Sequence, residues 1–130
     1  MAEMSIKKQR PKNLDLTSIR LPLPGKVSIL HRVSGAGIFL MLPLLLWIFQ
    51  ASVTSPESFE AFKAVASHPL AKLILAGLIW AYMHHFCAGI RFLLLDVHVG
   101  VELQSARQSA AVVLAVSLVL TAVLWGVLLW

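Results

Sequence analysis

Two short stretches hold most of the groups in this chain that could bind or transfer anything. Ser28, His31 and Arg32 lie in SILHRVSG (28–35), where a basic arm meets a long apolar run. Tyr82, His84, His85 and Gly89 lie in or beside MHHFCAGIR (83–91), inside the next apolar run. On a helix Ser28 and Arg32 are four apart and share a face, with His31 beside it. A hydroxyl, an imidazole and a guanidinium converging there suit a ligand with a polar head and an apolar tail, or a pair of carboxylates. The plainer reading is a capping serine and a snorkelling arginine. Neutral imidazole is a good haem-iron ligand, so His85 is a candidate axial ligand. Gly89, four residues on, clears space on the same face. For a histidine within a membrane, a hydrogen bond to a neighbouring helix is the alternative. His84 and His85 point about 100° apart and cannot both ligate one iron from one side.

The elements that must position these groups are helices in lipid. The chain has 130 residues, 58% hydrophobic and 13% charged, with a mean hydropathy of +0.82. A soluble domain carries about 25% charged residues, and a chain this small cannot hide so much apolar surface from water. Three apolar segments, about 27–51, 70–95 and 110–130, each reach the roughly 20 residues a bilayer-spanning helix needs. The expectation is an all-α integral membrane protein: one domain over 1–130, three transmembrane helices in an up-down bundle, and an arm over 1–26. PLPG (22–25) predicts a turn or extended entry. Ser55 and Pro56 predict the start of a short helix in the 52–69 connection. SGAG (34–37) predicts a thin surface for close approach of another helix or a flat cofactor. The pairs Ala111/Ala115, Ala122/Gly126 and Ser117/Thr121 predict helix packing in the last segment. The first span is too long for a signal peptide and lacks a small-residue cleavage site.

The net charge is +5 and seven of the eleven Lys and Arg fall in the first 32 residues. A basic arm against a membrane segment marks a cytoplasmic flank and attraction to anionic lipid, and argues against a nucleic-acid partner. Three crossings then put the C-terminus on the outer side of the membrane. The single cysteine, Cys87, lacks partners for a disulfide, metal or redox motif and reads as a small apolar residue. Arg91 and Asp96 read as an interfacial anchor and a helix-end acid. His85 lies about ten residues, or roughly 15 Å, from the end of its helix. A haem held there could turn its propionates toward His31 and Arg32. Apart from His84, which cannot ligate the same iron from that side, no other histidine in the chain is read as deep, so a second axial ligand has to come from another chain.

KKQRPKNLDL (7–16), SILHRVSG (28–35), SPESFE (55–60) and HHFCAGIRFLLLD (84–96) resemble the cytochrome b membrane-anchor subunit of bacterial succinate dehydrogenase, over nearly the whole chain. The resemblance implies three transmembrane helices paired with a second small membrane-anchor subunit. Together these hold haem b and dock the iron–sulfur and flavoprotein subunits on the cytoplasmic face of the bacterial inner membrane. It implies His85 as the axial ligand to the haem iron, with the other axial histidine from the sister subunit. It places Ser28 and Arg32 in a ubiquinone pocket, and His31 and Arg32 near the propionates. One departure stands out: Phe92 occupies a position where the family often has histidine. The chain would be a subunit of a succinate:quinone oxidoreductase and not catalytic alone, since it lacks a dinucleotide-binding pattern. Two alternatives remain at this level: a fumarate reductase anchor working with a low-potential quinone, or a cofactor-free structural membrane protein. A small transporter fits less well, because all six acids lie near or outside the segment ends.

Overall fold

Pro22 and Pro24 set where the first helix begins. Proline has no N–H to contribute, and the first turn of a helix needs none. In the computed structural model, which describes residues 18–129, Pro22 is the N-cap and α1 runs Leu23–Thr54. The PLPG stretch thus enters through an extended Pro22 (φ −65°, ψ 160°), and Leu23 to Gly25 form the opening turn of the helix. The Lys26 N–H closes that turn on the Pro22 carbonyl at 3.1 Å. The arm's first 17 residues lie outside the described residues. α1 continues through Pro43, which removes the bond to the Phe39 carbonyl.

α2 spans Pro56–Ser67, as the Ser55–Pro56 pair predicts. Ser55 Oγ accepts from the Ser58 N–H at 3.1 Å and Ser58 Oγ accepts from the Ser55 N–H at 3.0 Å. This is a capping box with serine where glutamate is usual. His68 then caps α3, its Nδ1 accepting from the Leu70 N–H, with Pro69 in the first turn. α3 spans Pro69–Asp96. Its end is closed by two bonds, from the Val99 N–H to the Leu94 carbonyl and from the His98 N–H to the Leu95 carbonyl. That is the Schellman pattern, with His98 at φ 62° in the left-handed position usually given to glycine. Gly100, at φ 77°, completes the reversal into α4, Leu103–Leu129.

Three of these helices are long and apolar enough to cross a membrane: α1, α3 and α4. α4 starts seven residues before the apolar run at Ala110 because Leu103–Ser109 is polar yet helical. α3 packs between α1 and α4, and consecutive spans run antiparallel. The start of α1, the end of α3 and the start of α4 therefore share one end of the bundle; α2 closes the other. The buried apolar core is small: Val27, Ala88, Ala110 and Val113. Buried beside it are Ser34, His84, Arg91 and Ser117. On α4 the packing face is Ala110, Val113 and Ser117. Ala111, Ala115, Ala122 and Gly126 point outward, so of the three small-residue pairs only Ser117/Thr121 serves packing within this chain. Trp80, in the middle of α3, stacks on His84 with centroids 5.4 Å apart, which places it in the bundle and not at an interface.

Candidate functional site

The two histidine-bearing stretches meet. His31 of α1 and His85 of α3 stack face to face, centroids 4.1 Å apart and planes within 10°. Each ring lies over a glycine of the opposite helix. A Cβ on Gly35 would come within 2.6 Å of His85 Cε1, and a Cβ on Gly89 within 3.7 Å of His31 Cε1. The spacing is the same on both helices: His31 and Gly35, His85 and Gly89. Antiparallel packing turns it into a reciprocal fit, each imidazole seated where the other helix has no side chain. SGAG thus provides close approach at Gly35. The space beside His85 that Gly89 clears is taken here by the His31 ring. Phe92 lies against His31 with ring centroids 5.1 Å apart and helps to hold the His31 ring.

His85 Nδ1 lies 3.0 Å from the His31 carbonyl oxygen. A carbonyl can only accept, so the bond requires the Nδ1–H tautomer. Nε2 is then left with its lone pair. The same carbonyl accepts from Ser34 Oγ at 3.0 Å, which fixes it from its own helix. The hydrogen bond to a neighbouring helix is therefore present. It does not compete with ligation by the other nitrogen, and it is the usual way a ligating imidazole is oriented.

His84 is different. It is 0% exposed and neither ring nitrogen has a hydrogen-bond partner. The Val27 backbone lies close without reaching hydrogen-bond geometry. With Ala88 and Arg91 it forms the buried face of α3, at positions i, i+4 and i+7. His84 is enclosed by the chain's own helices.

Ser28 is half-buried and Arg32 exposed, on α1 at the same end as His31. Neither has a side-chain hydrogen bond or ion pair to a described residue. Among the described residues no three His, Cys, Asp or Glu side chains come together as a bare metal ion requires.

Arg91 is not the exposed anchor its place near a helix end suggested. It is 6% exposed. Its Nε donates to Ser109 Oγ at 2.9 Å and its Nη2 to the Ala106 carbonyl at 3.2 Å, both on α4. Spacing offered a signal: Arg91 is seven residues from His84 and three from Ala88, on the inward face.

The family model for the succinate dehydrogenase/fumarate reductase transmembrane subunit matches residues 6–124. The chain belongs to this family. It is similar to the succinate dehydrogenase cytochrome b556 subunit of Paracoccus denitrificans, 36% identical over 111 residues and covering 85% of each chain. The corresponding subunit of Coxiella burnetii is 36% identical over 123 residues, 94% of this chain and 98% of the relative. That of Rickettsia prowazekii is 27% identical over 95% and 96%. As a transmembrane subunit of this family the chain fits a place in an oxidoreductase complex, and it is built on three apolar spans.

Proposed function

We propose that this chain holds haem b jointly with a second anchor subunit and forms part of the ubiquinone site of a succinate:ubiquinone oxidoreductase. The observation that carries the haem assignment is the His85 Nδ1–H bond to the His31 carbonyl. It fixes the tautomer whose Nε2 can ligate iron, and it does so from backbone, which holds the ring's orientation. A single imidazole so prepared suits haem iron, whose remaining ligands come from the macrocycle and a partner. The curated relatives carry b-type cytochrome in their names, in keeping with this reading. Bound there, haem would supply a one-electron store whose potential depends on ligation and burial.

The chain's own residues supply the rest. His31, stacked on His85, and Arg32, one residue on, form the basic edge toward which propionates would turn. Ser28 would donate a hydrogen bond to a quinone carbonyl. Arg32, exposed and unpaired among the described residues, would place positive charge where the quinone oxygens gain negative charge as electrons arrive. The iron–sulfur and flavoprotein subunits would dock at this same end. The basic flank makes it the cytoplasmic side of a bacterial inner membrane.

The test uses the assembled complex. His85→Leu is expected to remove or broaden the b-type band in the reduced-minus-oxidised spectrum, while His84→Leu leaves it in place. Ser28→Ala and Arg32→Leu are expected to lower quinone reduction by about tenfold or more, with succinate oxidation by a soluble dye retained. An unchanged haem spectrum in His85→Leu would sink the ligand assignment. Intact quinone reduction in both other variants would sink the quinone role.

A further inference from the structure

Arg91 brings a permanent positive charge into a position almost closed to solvent. Its two acceptors, Ser109 Oγ and the Ala106 carbonyl, are neutral. A guanidinium has five N–H donors, so three are unused by the described residues. The Lys63–Glu60 ion pair lies on α2 at the other end. Asp96, five residues along α3, is exposed and not within ion-pair distance of Arg91. The Phe92 ring, 5.5 Å from Arg91 Cζ, compensates part of the charge. A buried charge without a counter-charge is costly, and this one opens on a cleft.

The cleft measures about 280 Å³ between the end of α3 and the start of α4. Leu94 and Val99 form its apolar wall, and Ser105, Gln108 and Ser109 its polar one. The three polar residues recur at i, i+3 and i+4, one helix face. Arg91 lies five residues inside the end of α3, about 7.5 Å at 1.5 Å per residue. In a helix about 42 Å long that is the boundary between hydrocarbon and headgroups.

We propose that Arg91, with Ser105 and Gln108, binds the phosphate oxyanion of an anionic phospholipid in the leaflet at the α3–α4 loop. The acyl chains would follow Leu94 and Val99 into the bilayer. A phosphodiester offers two oxygens to the guanidinium fork, and in an anionic phospholipid no headgroup cation offsets the negative charge it supplies. The site involves neither His85 nor Ser28, so it stands or falls apart from the haem and quinone assignments.

The experiment takes the whole complex, stripped of lipid in mild detergent, and titrates phosphatidylglycerol, phosphatidylcholine and inorganic phosphate, read by native mass spectrometry and thermal unfolding. Wild type is expected to bind and be stabilised by phosphatidylglycerol over phosphatidylcholine. Arg91→Gln is expected to bind phosphatidylglycerol about tenfold more weakly, the factor for one lost charge-assisted hydrogen bond. Gln108→Leu keeps the charge and the bonds to α4. It is expected to weaken binding in the same direction and covers the case in which Arg91→Gln fails to assemble. Stabilisation by inorganic phosphate equal to that by the lipid supports the oxyanion site and assigns it a soluble source. Equal binding of the two lipids by wild type overturns the proposal, as it would if a partner subunit's carboxylate already held Arg91. Undiminished phosphatidylglycerol binding in both variants overturns it too.

Discussion

At the scale of single residues, the decisive contact is an imidazole over a missing side chain. Ordinary carbon contacts begin near 3.5 Å, and a Cβ on Gly35 would stand 2.6 Å from His85 Cε1. Gly35→Ala therefore forces the ring away and strains its bond to the His31 carbonyl. The expected cost is about 1–3 kcal/mol of overpacking, read by thermal unfolding of the complex, and under the proposed ligation by His85 the b-type absorption band is displaced as well. Gly89→Ala places its Cβ at 3.7 Å from His31, an ordinary contact, and is expected to change helix-pair stability by less than about 0.5 kcal/mol. The sequence carried His85, His31, Ser28 and Arg32 as candidates, because polar groups in an apolar run need a reason. It did not carry Gly35 as the partner of His85, because that pairing needs the register between two helices. Nor did it carry the burial of Arg91, whose acceptors belong to a different helix.

At the scale of elements, the three spans follow from apolar length alone, and the α2 cap follows from Ser55 and Pro56. The inward face of α4 did not follow. Its apolar and small residues lie on all sides, so periodicity could not separate Ala110, Val113 and Ser117 from Ala111 and Ala115. Two element ends carry predictions. His98 holds a left-handed φ at the close of α3, which costs a non-glycine residue about 1 kcal/mol. His98→Gly is expected to raise stability by up to about 1 kcal/mol, measured by denaturant unfolding in detergent. At the start of α2, the Glu57 carboxyl is held below its ordinary value of 4.5, chiefly by its own backbone N–H and then by the Ser55 hydroxyl. A depressed carboxyl stabilises the fold fully above the unfolded value, and the benefit is lost as pH falls from 4.5 through the folded value. Glu57→Gln should therefore be less stable than wild type at pH 7, and the gap should close below pH 4.5.

At the scale of the whole molecule, two asymmetries matter. The first is charge. Among the described residues, Arg20, Lys26, Arg32, Arg91 and Arg107 gather with only Asp96 and Glu102 at one end, while Lys63 and Lys72 balance Glu57 and Glu60 at the other. By the positive-inside bias, a C-terminal alkaline phosphatase fusion is expected to be active and a C-terminal green fluorescent fusion dark. The reverse result would invert the topology. The second asymmetry is burial. Large side chains such as Phe39 and Trp47 face outward, which costs nothing against lipid, so helix association rests on small residues and polar ties. One of those ties bears on how the chain is made. Two Arg91 donors end on atoms of α4, so α3 entering the bilayer alone would carry an unanswered guanidinium. The two segments gain by leaving the translocation machinery together as a preformed hairpin.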